Sequence, residues 1–252
     1  MTPFLLIGLH NKRFVSDVSG HVALMRGNFQ TVVVESGDAL GAWPLGGHVL
    51  RAVAPGVVPF LNQGLEYLRA VASPGDWFVR IDCDDYYGPD YLTHVIASRE
   101  NDAVASGISN VYVRTEDDRL LLARGKNPSC AGAPGGTLAG DIFRAVPFRS
   151  TSAWGEDQIW CEDMRSLGRH VVDRPGAGYA LQRHAGHSHT WPVTGEQLVH
   201  VWPCYAYDMG RWDPQVVNRG DSVGSYIPPD LVLAVAAMRR LQVAQDTHGE
   251  NK

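Results

Sequence analysis

The residues with the clearest capacity for chemistry lie in Trp77-Phe78-Val79-Arg80-Ile81-Asp82-Cys83-Asp84-Asp85, where a stretch of strand character delivers a packed group of carboxylates. Side chains alternate faces along a strand, so Trp77, Val79 and Ile81 are expected on one face and Asp82 and Asp84 on the other, with Cα atoms roughly 6.6 Å apart. Two like charges at that spacing repel. A divalent cation relieves the repulsion, and hard oxygen ligands with room for water and phosphate suit Mg2+ or Mn2+. The bland alternative is a solvated acidic turn.

A second acidic pair occurs in Trp154-Gly155-Glu156-Asp157-Gln158-Ile159-Trp160-Cys161. The pattern predicts a helix from there to Leu167, stopped at Gly168. Asp157, Trp160, Cys161 and Met164 fall on one stripe at helical spacing, so a carboxylate opens an otherwise apolar stripe. Partial burial raises the pKa of such an acid towards the range of a general base. An acid in a helix's first turn is equally explained by the macrodipole and the free N–H groups there. Farther on, His184, His187 and His189 invite a metal reading, but their spacing differs from the HExxH helix of zinc proteases. One imidazole joining the Asp82/Asp84 cation fits better than a separate zinc site.

These residues need a frame to bring them together. Phe4–Leu9 is a continuous apolar run suited to a strand buried on both faces. The residues from 14 to 26 carry helical periodicity, and Thr31–Val34 is a β-branched strand ending at Glu35-Ser36-Gly37-Asp38, which completes a β-α-β unit and implies a parallel sheet. A third strand is expected over His48–Val53, a helix over Pro59–Ala72, and a helix from Pro89 to Ser98 with Pro89 as its first residue. In open α/β sheets ligands lie beyond the carboxyl ends of the strands, so Glu35, Asp38, Asp82 and Asp84 can face one crevice. Taken singly, Glu35 and Asp38 also read as ordinary turn residues.

Strands over Ala103–Ser106 and Asn110–Arg114 follow, the latter joined to Leu120–Ala123 by a solvated acidic turn. Residues 125–140 are rich in Gly, Pro and Ala but lack the Lys-Ser/Thr pair of a P-loop, so a mobile loop or an ordered turn beside the site is the expectation. Val171-Val172 is a short strand. Trp191, Trp202, Tyr205, Tyr207 and Trp212 give the last part of the chain an aromatic character that serves core packing or stacking on a sugar face. A helix over Asp230–Val243 is expected before a flexible polar tail at about residues 245–252.

Bulk properties narrow the class. A chain of 252 residues, 44% hydrophobic and 19% charged, can bury a substantial core and is not disordered. A net charge of −5 argues against a general nucleic-acid-binding role. The four cysteines are scattered with no CxxC pair, the default for reduced thiols in the cytoplasm. Phe4–Leu9 is too short for a signal-peptide core, and Leu231–Met238 is far below the roughly 20 residues of a membrane span.

The ordered set Phe4–Asn11, Val32-Val33-Val34-Glu35-Ser36-Gly37-Asp38, Asn62-Gln63-Gly64-Leu65, Ile81-Asp82-Cys83-Asp84-Asp85 with Pro89 and Leu92, and Gly155-Glu156-Asp157 resembles the family-two glycosyltransferases of the GT-A fold. The likeness spans about residues 4–190. It implies a Rossmann-type, mostly parallel sheet flanked by helices, with a nucleotide-sugar and metal half at about 1–100 and an acceptor half at about 101–190. Residues 191–252 would be an aromatic-rich C-terminal extension packing on the same domain. The implied activity is inverting transfer from a nucleotide-diphosphate sugar, with a UDP-sugar as the leading donor and an acceptor hydroxyl of unknown identity. By position, Glu35, Asp38, Asn62 and Asp82 would meet the donor, and Asp82 and Asp84 would hold Mn2+ or Mg2+, with His187 or His184 completing its shell. Asp157 would deprotonate the acceptor, with Glu156 in reserve. The family usually has Asp-Asp or Asp-Asn where Glu35-Ser36 stands, and an Arg where Leu61 stands, so the base contact departs from its pattern. Competing readings are a metal-dependent nucleotidyltransferase, a metal-dependent hydrolase and a catalytically silent glycan-binding module.

Overall fold

A computed structural model of the chain describes residues 2–99, 103–108, 110–125, 135–150, 155–174, 176–183 and 204–220. The apolar run at the start becomes β1 (Phe4–Leu9), and the amphipathic stretch after it becomes α1 (Val15–Leu24), entered through a 3-10 turn at Lys12–Phe14. β2 (Gln30–Glu35) and β3 (His48–Arg51) follow, then α2 (Val57–Val71), β4 (Trp77–Asp82), β5 (Tyr86–Tyr87) and α3 (Tyr91–Ala97). The chain continues with β6 (Ala103–Gly107), β7 (Asn110–Arg114), β8 (Arg119–Gly125) and β9 (Ala139–Asp141), and then α4 (Glu156–Ser166) and β10 (His170–Asp173). β11 (Tyr179–Gln182), β12 (Cys204–Arg211) and α5 (Pro214–Arg219) complete the described elements.

Two sheets result. The larger has seven strands in the order β10-β6-β9-β4-β1-β2-β3, all parallel except β9, which runs antiparallel to both of its neighbours. Strict alternation along its strands builds a core on each face. Leu5, Ile7, Val33, Val79 and Ile81 pack with Val18 and Val22 of α1 and with Leu92 and Val95 of α3. Phe4, Leu6, Val32, Val34 and Phe78 pack on the other side with Leu61, Leu65 and Leu68 of α2 and with Trp160 and Met164 of α4. The second sheet has the order β12-β8-β7-β11-β5. Residues 204–220 contribute its β12 edge, and Val217 of α5 packs against Tyr112, Leu120, Leu122 and Ala180.

Three local expectations are corrected. The strand ends at Asp82, and Asp84 sits in the turn that follows, so the two carboxylates do not share a strand face. The residues from 83 to 85 must turn because the chain leaves one sheet for the other, with Tyr87 opposite Tyr179 and Tyr86 opposite Ala180. Pro89 precedes the helix rather than opening it, since α3 starts at Tyr91 with Asp90 as its N-cap. On α4 the acid aligned with the buried stripe of Trp160, Cys161 and Met164 is Glu156, whereas Asp157 is half-buried. The short β9, and the pairing of β5 and β12 into a separate sheet, have no strong periodic signal in the sequence. The histidines from 184 to 189, the aromatic residues up to Trp202 and the helix expected after Pro229 lie outside the described residues.

Gly64 marks where α2 comes closest to the sheet. A Cβ there would stand 2.2 Å from Leu6 Cδ1, and Leu6 is itself fully enclosed. Gly64→Ala is therefore expected to lower stability by about 1–3 kcal/mol through overpacking, read as a lower midpoint in chemical denaturation; an unchanged midpoint would show that this contact gives way without cost.

Candidate functional site

The candidate site is built at the carboxyl ends of β1, β2 and β4. Alternation along β4 puts Phe78, Arg80 and Asp82 on the face covered by α2 and α4, while Trp77, Val79 and Ile81 face the other way. Arg80 is thus a cation on the inner face of a central strand, and it is buried. Its Nε and Nη2 donate to the two carboxylate oxygens of Asp82 at 2.8 and 3.1 Å, and Nη2 also donates to Glu156 Oε1 at 2.9 Å. One guanidinium so ties the end of β4 to the first turn of α4. Arg80 was not among the residues the sequence motifs single out, although a lone cation two residues before Asp82 in an apolar strand was a readable sign.

Asp85, the last acid of the cluster, is a structural tie. It is buried, accepting from the Tyr179 hydroxyl at 2.6 Å and from the Gln182 backbone N–H at 3.1 Å, both on β11. The Tyr87 hydroxyl accepts from the Asp82 backbone N–H at 2.8 Å and donates to the Gly136 carbonyl at 3.2 Å; the Tyr91 hydroxyl donates to the same carbonyl at 3.1 Å. A Cβ on Gly136 would lie 2.3 Å from the Tyr87 hydroxyl and 3.3 Å from Asp82 Cβ, so only glycine lets this backbone approach the acids. The part of the Gly/Pro/Ala-rich stretch at residues 135–137 is accordingly an ordered turn beside the site.

The residues assigned to the donor by position are already engaged. Glu35 is buried at the end of β2, where its two oxygens accept from the backbone N–H groups of Gly41 and Trp43 at 2.6 and 2.9 Å, which shapes the loop after β2. Asp38 is exposed and accepts from the Lys12 N–H at 3.0 Å, joining the loops after β1 and β2 at the crevice rim. Asn62 clamps α2 to the segment before α4, with Nδ2 donating to the Phe148 carbonyl at 2.8 Å and Oδ1 accepting from the Phe148 N–H at 2.7 Å. Asp157 Oδ1 accepts from the Gln158 N–H at 2.8 Å. His184 and His187 lie outside the described residues.

Crowded carboxylates set the electrostatics. Burial, and next the neighbouring Asp84 and Asp82, push Asp85 well above the usual carboxylate range, against the pull of its hydrogen bonds from Tyr179 and Gln182. Burial also raises Asp82, although Arg80 pulls it down. Arg80 stays charged: burial opposes its charge, but Asp82 and Glu156 more than compensate. Asp157 is lifted from 3.8 to about 6 by burial first and the adjacent Glu156 second, with Arg80 opposing. Cys83, enclosed among these acids, is pushed up as a thiol by burial.

Among the described residues no group of three or more His, Cys, Asp or Glu side chains is arranged to enclose a metal ion. The donor chemistry nevertheless fits a hard divalent cation. Several carboxylates are held together with raised pKa values, and the Asp82 side chain keeps 30% of its surface exposed. Mg2+ in particular is commonly held by one or two carboxylates, with phosphate and water completing its shell. Asp82 and Asp84 are the residues that would hold it.

The strand order, the single antiparallel strand within a parallel sheet and the flanking helices make this a mixed α/β architecture with a largely parallel central sheet. No protein-family model and no curated protein sequence matches the chain. Solved structures similar to it include residues 1–349 of S. aureus TarS in complex with UDP, at 14% identity and a TM-score of 0.48, covering 73% of this chain and 61% of that one. A 4-diphosphocytidyl-2C-methyl-D-erythritol synthase is similar at 16% identity and a TM-score of 0.43, covering 79% and 95%. CMP:2-keto-3-deoxy-manno-octonic acid synthetase complexed with CTP is similar at 13% identity and a TM-score of 0.45, covering 80% and 98%. The chain therefore spans about three fifths of the TarS fragment. Among the described residues no helix is long and apolar enough to cross a membrane.

The Asp157 shift has a consequence for stability. A carboxyl raised in the folded state favours folding while protonated, and that contribution is lost as pH rises from about 4 through about 6. Asp157→Asn, neutral throughout, is expected to be more stable than wild type above pH 6 by on the order of 1 kcal/mol, allowing for partial exposure. The difference should vanish below pH 4, as followed by thermal melts across pH; a difference that is constant with pH would contradict the shift.

Proposed function

We propose that the chain is a metal-dependent glycosyltransferase that moves a sugar from a nucleotide-diphosphate sugar, with a UDP-sugar as the leading donor, to an acceptor hydroxyl with inversion. The observation that carries this reading is the Arg80 bridge, which sets Asp82 of the acidic turn beside the Glu156-Asp157 start of α4. A carboxylate poised near pH 6 stands next to acids suited to a divalent cation. The same order of motifs in the sequence supports it.

In this mechanism Asp82 and Asp84 would hold Mn2+ or Mg2+, and a bound cation would stabilise the negative charge that builds on the leaving diphosphate. Asp157 accepts the proton of the acceptor hydroxyl as its oxygen attacks the anomeric carbon. The bond from that carbon to the diphosphate oxygen breaks on the opposite face, so the configuration inverts, and the proton stays on the Asp157 carboxyl. Base assistance of this kind contributes typically about 10²–10⁴ in rate. Glu156 is engaged by Arg80 at 2.9 Å and positions the start of α4. Holding donor and acceptor in line between the acidic turn and α4 supplies a further share.

A thermal-shift panel of nucleoside diphosphates and triphosphates, with and without Mn2+, tests the donor site. A ligand at a hundredfold excess over its dissociation constant stabilises by roughly 2.7 kcal/mol. One diphosphate should raise the melting temperature only with the cation present, and Asp84→Asn should abolish that shift. Analysis of products then separates the alternatives: release of pyrophosphate from a triphosphate marks a nucleotidyltransferase, free sugar or phosphate without acceptor marks a hydrolase, and saturable glycan binding without turnover marks a silent module.

Transfer itself should depend on pH through Asp157. The base must be ionised, so kcat/KM is expected to rise tenfold per pH unit below about 6 and to level off above it. Asp157→Asn should bind the donor normally and lose 10²–10⁴ in turnover; full turnover in that variant would remove Asp157 from the mechanism.

A further inference from the structure

We infer that Arg80 is a positioning residue that masks Asp82, holding down the affinity of the free chain for a divalent cation. The inference rests on the proposed function only for its purpose, which is to tie cation uptake to the arrival of the donor's diphosphate. Both oxygens of Asp82 are taken by Arg80, at 2.8 and 3.1 Å, in a fork that matches the carboxylate's own geometry. A cation approaching Asp82 meets a carboxylate already paired with a guanidinium. The guanidinium cannot lose its proton to make way, and it cannot swing into water, since its side chain is only 5% exposed and a second acid, Glu156, holds Nη2 at 2.9 Å.

The third nitrogen completes the case. Arg80 Nη1 is buried and has no hydrogen-bond partner among the described residues. A buried guanidinium donor left unmet is costly, so the acids do not exhaust what this group can bind. An added acceptor oxygen, as a phosphate brings, would share the guanidinium and loosen its hold on Asp82. Masking and unmasking then use one residue.

The test uses Mn2+ alone, titrated into the full chain and followed by the electron paramagnetic resonance signal of the free ion, so it needs no nucleotide and no turnover. Arg80→Met should bind Mn2+ at least tenfold more tightly than wild type. Arg80→Lys, which keeps the charge, should stay within about threefold. Because Arg80→Met leaves the buried Glu156 and the half-buried Asp82 without a counter-ion, Arg80→Met combined with Glu156→Gln provides the decisive variant. It carries the same formal charge in this trio as wild type, so tighter Mn2+ binding in it reports the release of Asp82 and not a change in net charge. A merely structural Arg80 would give weaker or equal Mn2+ binding in the double variant, and that result overturns the inference. Failure of sugar transfer in the wild type bears on the proposed reaction alone and leaves the Mn2+ comparison intact.

Discussion

The guanidinium of Arg80, shared between Asp82 and Glu156, is the interaction on which the arrangement of the site depends. An unpaired charge on the inner face of a central strand would be prohibitive, and a buried ion pair is tolerated only when its geometry and remaining hydrogen bonds are good. That requirement fixes where α4 begins. Its first turn must bring Glu156 to the end of β4, while Trp160 and Met164 farther along the same face bury against Phe78 and Phe148. Apolar packing sets the depth of the helix and the ion pair sets its position along the strand. Buried pairs of this kind add little net stability but are costly to break. They are better understood as fixing one arrangement among several that the apolar contacts alone would allow.

The acidic turn has a second duty as the joint between two sheets. β4 belongs to the large sheet and β5 to the small one, so residues 83–85 cross from one to the other. Asp85 closes the joint by taking hydrogen bonds from β11, and the rings of Tyr87, Tyr91 and Tyr179 pack beside it at tilted and edge-on angles. Burying Asp85 next to Asp82 and Asp84 costs electrostatic energy, which shows as the raised carboxyl pKa values. Rigid backing and like-charge crowding are thus produced by the same turn. A flexible acidic loop would relax by spreading its charges into water, whereas here Tyr179 and the Gln182 N–H prevent it.

Regular periodicity made the frame legible. The β-α-β start, α2, the β7–β8 hairpin and α4 follow from apolar spacing and from their Gly or acidic boundaries, because each buries a continuous face and needs no distant partner to define it. β9 and β5 were not legible, being short and stabilised by neighbours far away in the chain. The Gly136 approach likewise depends on Tyr87 and Tyr91, which no local pattern connects to it. Within the site, the positions of Asp82 and the Glu156-Asp157 pair could be read from the sequence, but their partners could not. Asn62 is assigned to the donor through its place in the Asn62-Gln63-Gly64-Leu65 motif of the resemblance, yet both ends of its amide are spent on Phe148. Glu35 is similar: the carboxylate at a strand's end binds the backbone of its own loop.

The adjacent acids at the start of α4 illustrate how a small angular difference divides two roles. Consecutive residues on a helix are about 100° apart, so Glu156 and Asp157 cannot face the same surroundings. Glu156 lies over the sheet and meets Arg80. Asp157 is turned away from that partner and feels it only at a distance, while it feels the charge of Glu156 at close range. Glu156 is the acid that Arg80 holds, and Asp157, raised to about 6 by burial first and by Glu156 second, is the carboxyl able to exchange a proton near that pH. Gly155, in the left-handed conformation with φ of 90°, sets where α4 starts.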